Sequence, residues 1–236
     1  MVLTGAPCAG KTSALDYIEG LFKHQGFQVY RVDEVATQFL RGKPVDLSDP
    51  GTQVRFQASL LRAQLQAEDN ACAAASFDPA PSIVLCDSGA PSGMAYCSDV
   101  QWQQVLNTIG VTSDELAGRY SLALRLGSLA ELGDGSRYDF GPGSSNPARY
   151  HTGEQARLLA PRLAHAYALC RQLHVPAQES WNLKLELIGE RIREAQRYGW
   201  LPAAPHQDGA FQFDARSDVP ACLPGLVVLI SPREAS

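Results

Sequence analysis

"TGAPCAGKTSAL", from Thr4 to Leu15, contains G-x-x-x-x-G-K-T, with Gly5, Gly10, Lys11 and Thr12 at its fixed positions. Such a turn carries chemistry in one context, between a strand and a helix. "MVLT" before it is apolar and β-branched, as a buried strand end is. "SALDYIEGLFKHQ" after it has apolar residues at 14, 15, 18, 21 and 22, a helical period. Glycines at 5 and 10 let successive N–H groups converge on phosphate oxygens. The helix N-terminus behind them adds a favourable dipole. The predicted cradle is Gly5, Ala6, Pro7, Cys8, Ala9, Gly10, Lys11, Thr12 and Ser13. Lys11 is a point charge for the β/γ-phosphates, and the Thr12 hydroxyl is a hard oxygen ligand for Mg²⁺. The expected ligand is therefore a nucleoside triphosphate with Mg²⁺, ATP before GTP.

The chain has 236 residues, enough for one α/β domain with a sizeable core. Apolar residues are 45% and charged residues 19%, an ordinary globular balance. A net charge of −5 argues against a nucleic-acid partner. Every apolar run is too short to cross a membrane, and no signal peptide precedes the first strand. The six cysteines are scattered without C-x-x-C, which reads as core or loop thiols of a cytoplasmic protein rather than a zinc site. The first strand has about three residues where five or six are usual, which leaves open a start upstream of Met1.

Five stretches read as strands: 2–4, 27–32, 82–87, 121–126 and, weakly, 173–177. Helical patterns fall at about 11–25, 33–41, 52–76, 100–109, 113–118, 154–173 and 183–198. Strands alternating with helices predict a three-layer α/β fold: a parallel sheet of about five strands with helices on both faces. In such sheets ligands collect at the C-terminal strand ends. Each of the first three ends carries something polar: Gly5, then Asp33–Glu34, then Asp87.

Asp87 ends an apolar strand, where a carboxylate can hold the Mg²⁺ water shell or take a proton from an acceptor hydroxyl. Two readings stand for Glu34: an exposed residue in a first helical turn capped by Asp33, or a carboxylate aimed across the cleft at an acceptor. Gln57, Gln64 and Glu68 share one helix face, which reads either as solvated surface or as a functional stripe. Residues 133–153 are rich in Gly, Ser and Pro and hold Arg137 and Arg149. They read either as a surface connector or as a lid bringing positive charge to the phosphates. The domain is expected to span 1–202, and 203–236 to be linker and tail. Within that tail "LPGLVVLISP" (223–232) suits a strand added to the sheet or the start of a second domain.

"GAPCAGKT", "VDEVATQFL", "FQASLLRAQLQAED", "CDSGAPSGMAYCSDVQWQQVLNTIGVTSDELAGRYSLALRL" and "NPARYHTGEQA" occur in this order. Over about residues 1–200 the chain thereby resembles the NadR/Ttd14-like AAA domains, P-loop proteins related to nicotinamide riboside kinase, deoxynucleoside kinases and thymidylate kinase. The resemblance implies a kinase-like fold with a hinged lid, an NTP and Mg²⁺. It implies that Gly10, Lys11 and Thr12 hold phosphates and metal. Glu34 then matches an acceptor-side carboxylate, Asp87 the Asp of the family's D-R-G, and Arg149 its lid arginine. Two positions depart from that pattern. Ser88 stands where the family has Arg, which removes a cation near the phosphates. "AQESWN" offers Glu179, Ser180 and Asn182 where an Asp-Asn usually meets the base. The sequence thus predicts Lys11, Glu34, Asp87 and Arg149 as the catalytic set, with Thr12 and Asp87 as metal donors. The γ-phosphoryl group would pass to a small hydroxyl compound or water. A second expectation comes from relatives that bind GTP and phosphoinositides: a regulatory nucleotide-binding module with negligible turnover.

Overall fold

A computed structural model describes residues 1–36, 46–133, 152–205 and 227–229. Five strands run parallel: β1 (Val2–Thr4), β2 (Gln28–Val32), β3 (Ser82–Asp87), β4 (Ala123–Leu126) and β5 (Gln172–Val175). A sixth, β6 (Val227–Leu229), lies antiparallel against β1 and β3. The parallel strands follow the order β2-β3-β1-β4-β5, with β6 wedged beside the short β1. The register sets Leu3 beside Asp87 on one side and beside Leu124 on the other. The α/β P-loop NTPase architecture expected from the sequence is therefore present.

The helices described in full are α1 (Lys11–His24), α2 (Pro50–Ser76), α3 (Asp99–Ile109), α4 (Ser113–Gly118), α5 (Gly153–Ala166) and α6 (Trp181–Arg197), and they cover the sheet. Strand periodicity sorts side chains between two faces. Met1, Leu3, Ile83, Leu85, Leu124 and Leu126 pack against Leu15, Ile18 and Phe22 of α1 and Ile188 and Ile192 of α6. Val2, Val84, Cys86 and Ala123 pack against Leu61 of α2, Trp102 and Val105 of α3 and Leu116 of α4. Fully burying side chains of this size contributes about 1.5–3 kcal/mol each. Asp87 continues the Ile83–Leu85 alternation, so it falls on the α1 face at the strand's C-terminal end.

Two 3₁₀ turns, Ala90–Tyr96 and Leu129–Glu131, follow β3 and β4. The sequence pattern shows neither. The helix expected over 154–173 stops at Ala166, because the chain turns at Tyr167–Cys170 to enter β5. The first 3₁₀ turn packs on α5, and small residues allow the approach: Ala95, Ala156 and Ala160 cluster with Ala6 of the Gly-rich loop. Of the two readings of the tail, residues 227–229 form the strand. The expected lid, with Arg137 and Arg149, and most of the helix expected over 33–41 lie outside the described residues.

Candidate functional site: a phosphate cradle at the C-terminal strand ends

The loop between β1 and α1 closes on itself and on β4. Ala9 N–H donates to the Ala6 carbonyl at 3.1 Å. Gly10 is the N-cap of α1 with φ 73°, the left-handed region, and no side chain caps the helix. The first-turn amides of α1 have no intrahelical partner and face outward as donors. A side chain at Gly10 would meet the Trp181 ring at 2.7 Å, and one at Gly5 would meet the Leu126 carbonyl oxygen at 2.4 Å. Both positions therefore require glycine. Cys8 also sits in the left-handed region, at φ 59°, an uncommon state for a non-glycine residue. Lys11 Nζ donates to the Gly5 carbonyl at 2.9 Å, which folds its charge back over the loop.

Asp87 is 1% exposed, and its Oδ1 has no hydrogen-bond partner among the described residues. The same is true of Thr4 Oγ1 at the end of neighbouring β1. Burial pushes the Asp87 carboxyl well above the usual carboxylate range. Glu34 and Asp33 push the same way, while Lys11 and Arg31 oppose them. Tyr96 keeps 39% of its surface exposed. Partial burial of its ring, then the Glu34 and Asp87 carboxylates, hold its hydroxyl above the usual range. These shifts place Glu34, Asp87, Lys11 and Tyr96 in one electrostatic neighbourhood. An orphaned buried carboxylate oxygen and nearby hydroxyls are hard oxygen donors, a set that fits Mg²⁺.

Behind Asp87 the polar groups are fully engaged. Ser88 has φ 51°, and the next two amides are both taken by tyrosines. Gly89 N–H donates to Tyr167 Oη at 2.6 Å and Ala90 N–H to Tyr120 Oη at 2.7 Å. Tyr120 donates in turn to Glu68 at 2.7 Å, and Glu68 also accepts from Gln64 at 2.9 Å and Arg119 Nε at 2.8 Å. Burial still raises the Glu68 carboxyl, with Arg119, Gln64 and Tyr120 opposing.

The solvated reading of the Gln57–Gln64–Glu68 stripe is thereby overturned: all three side chains are buried. They face the interior because α2 lies over β3 and the first 3₁₀ turn. Glu34 is half-buried, and helical residues begin one position later at Val35. It precedes the first turn rather than standing exposed within it. The structure brings Lys11, Asp87 and Glu34 together, while Arg149 lies outside the described residues. Glu179 and Ser180 are exposed, and Ser180 is spent capping α6, its Oγ accepting Leu183 N–H at 3.3 Å.

Four polar residues carry weight that the sequence reading did not assign: Thr4, Tyr96, Ser128 and Lys184. Ser128 is fully buried and donates through Oγ to the Pro7 carbonyl. Lys184 is 2% exposed and donates to the Gly127 carbonyl at 2.6 Å. A signal existed for Lys184, since it lies four residues before buried Ile188, on the apolar face of α6. None existed for Ser128 beyond its place after a strand.

A glycine-bound loop, an uncapped helix N-terminus, a lysine folded over both and a buried aspartate on the next strand define a P-loop nucleotide-binding domain. The chain belongs to the AAA domain family, whose model matches residues 1–181. No curated protein matches it. Among the described residues no helix is long and apolar enough to cross a membrane.

Proposed function

We propose that the protein is a Mg²⁺-dependent phosphotransferase or NTPase of small-molecule-kinase type. ATP would be its donor, and a small hydroxyl compound or water its acceptor. The observation carrying this reading is the unpartnered, buried Oδ1 of Asp87 on the strand paired directly with the P-loop strand. A carboxylate kept there without a protein donor suits a group whose partner arrives with the nucleotide. Residues 1–202 would form the working domain, of the NadR/Ttd14-like kind, with 203–236 as linker and tail.

Catalysis of this class is mostly positioning and charge neutralisation. The cradle amides would bind the phosphates, and Lys11 would swing from the Gly5 carbonyl onto the β/γ oxygens. Thr12 and Asp87 would hold Mg²⁺ directly or through water, and the ion when bound would supply further neutralisation of phosphate charge. Glu34 would orient the acceptor hydroxyl or water, and Arg149 would add a bidentate cation from the 133–153 segment. Cysteines without disulfides among the described residues support a reducing, cytoplasmic setting.

A second reading, a regulatory ATP- or GTP-binding module with negligible turnover and, as the resemblance implies, a link to phosphoinositides, is favoured by Ser88. That serine stands where the resembled family has a phosphate-side arginine. The deciding experiment pairs a thermal-shift panel (ATP and GTP, with and without Mg²⁺) with a time course of nucleoside diphosphate formation. Ligands that bind the folded state raise the melting temperature. A Mg²⁺-dependent rise for ATP with diphosphate formation supports the enzyme. A rise without product over hours supports the module. No rise with either nucleotide overturns both.

A further inference from the structure

The phosphate cradle is held from behind by the turn that follows β4. Ser128 Oγ donates to the Pro7 carbonyl, and Leu129 N–H donates to the Cys8 carbonyl at 3.3 Å. Both cradle carbonyls are thereby drawn toward the turn, which favours inward-facing amides in the same peptide chain. The turn is itself fixed at two points. Ser128 N–H donates to Glu131 Oε1 at 2.6 Å, and the Gly127 carbonyl accepts from Lys184 Nζ at 2.6 Å. Lys184 reaches that carbonyl from α6, with its side chain almost wholly buried.

A buried ammonium with one carbonyl acceptor is a costly way to hold a turn. A neutral side chain of similar length would fill the space without that cost. The charge therefore calls for a reason of its own, and its surroundings supply one. Among the described residues, the charged and titratable groups facing Lys184 are Lys11 from the cradle, Glu131 from the turn and His174 from β5. Glu131 is already engaged by the Ser128 amide. In the ligand-free protein two lysines thus repel one another across the cradle. A polyphosphate placed on the cradle amides would attract both.

We propose that Lys184 is a positioning residue for the phosphate cradle, acting through the Gly127–Leu129 turn and setting a second positive charge behind the bound phosphates. The inference rests on the reading of the P-loop as a nucleotide site. Burial draws the Lys184 ammonium down to about 8, against the pull of Glu131 and with the push of Lys11. Phosphates on the cradle reverse that push, so the ligand-bound protein holds the Lys184 proton more tightly than the free one. Nucleotide binding then takes up a proton in mildly alkaline solution.

The test is titration calorimetry of the full chain with ATP–Mg²⁺ and GTP–Mg²⁺, in buffers of different ionisation enthalpy, from pH 7 to pH 9. Wild type should take up roughly half a proton at pH 8 and about a tenth at pH 7. Its affinity should be about tenfold lower at pH 9 than at pH 7. Lys184→Met should bind on the order of tenfold more weakly at pH 7, take up no proton and show a flat affinity to pH 9. The wild-type measurement stands even if the variant folds poorly. Binding by wild type without proton uptake overturns the inference alone. So does uptake that survives in Lys184→Met, which would trace to another group. Failure of wild type to bind either nucleotide overturns the P-loop reading and this inference together.

Discussion

Glu68 and Asp87 are both buried carboxylates, at 0% and 1% exposure, and burial raises both above the usual range. Their treatment is opposite. Glu68 accepts from Gln64, Tyr120 and Arg119, and Arg119 also holds Asp69 at 2.5 Å. Asp87 keeps an oxygen with no partner among the described residues. Burial alone therefore does not mark a site. A satisfied buried charge organises a fold, whereas an unsatisfied one is a cost that function must justify. The helices repeat the contrast. Asp49, Ser98, Thr112, Thr152 and Ser180 each cap a helix with a side chain, and α1 begins uncapped. Among the helices described in full, the amides without a side-chain cap are those of the P-loop helix.

The comparison is broken most severely at Glu68. Glu68→Ala takes the acceptor from Arg119 Nε, the Gln64 amide and the Tyr120 hydroxyl and leaves a cavity beside them. Loss of one partner from a buried pair costs about 3–5 kcal/mol, and Arg119, whose side chain is 24% exposed, places the expected loss near the lower end. Chemical denaturation should show it, with nucleotide affinity unchanged in the fraction that folds. A fall in affinity with intact stability would show that Glu68 belongs to the site. Next in size is Lys11→Ala. It should weaken Mg²⁺–NTP binding roughly a hundredfold, the worth of a charge-assisted contact of about 3 kcal/mol. The melting temperature without ligand should barely move, and wild-type affinity in this variant would end the P-loop assignment.

Asp87→Asn should act in the opposite sense to Glu68→Ala. The Asp87 carboxyl is held above its unfolded value, so the folded state loses stability from this group as pH rises out of the acid range. Asparagine removes that loss. The variant should be about 1–2 kcal/mol more stable than wild type at neutral pH. The gain should shrink as pH falls and vanish below about pH 3, where the carboxyl is neutral in both states. The Mg²⁺ dependence of nucleotide binding should be lost in this variant. A destabilised variant at neutral pH would mean that Asp87 is structural after all. The smallest effect is expected at the capped helices. Thr152→Ala removes the cap that accepts Gln155 N–H at 3.2 Å and should cost about 1 kcal/mol of stability. Nucleotide affinity should stay level. If it drops, the open and closed helix ends are not separate in function.

How far the sequence carried depends on whether a feature is local. The P-loop, its strand and its helix lie within two dozen residues and were legible, as was Asp87 at the end of an apolar run. Glu68 was legible as a polar residue on a helix face, but not as a buried one. Its burial is decided by Arg119 and Tyr120, some fifty positions away, which the period of α2 does not encode. One of the two readings of Glu34 sets it in a first turn because Asp33 is a good cap, yet the helix starts one residue later. Ser128 and Lys184 matter through contacts with Pro7 and Gly127, and no local pattern reports such contacts. The helix leading to β5 was read too long, because helical periodicity continues past Ala166 while the sheet edge takes the chain at Gln172.

The chain has three tryptophans. Trp102 lies inside the α2–α3 face, and Trp200 packs on Tyr198, their ring centroids 5.0 Å apart. Trp181 lies against the loop instead, close enough that a methyl group on Gly10 could not be accommodated. Its indole emission therefore has a direct line to the backbone that receives the phosphates. With Trp102 and Trp200 changed to phenylalanine, the protein would carry a built-in optical readout of the cradle, and occupancy could be followed in a stopped-flow cuvette without a labelled nucleotide.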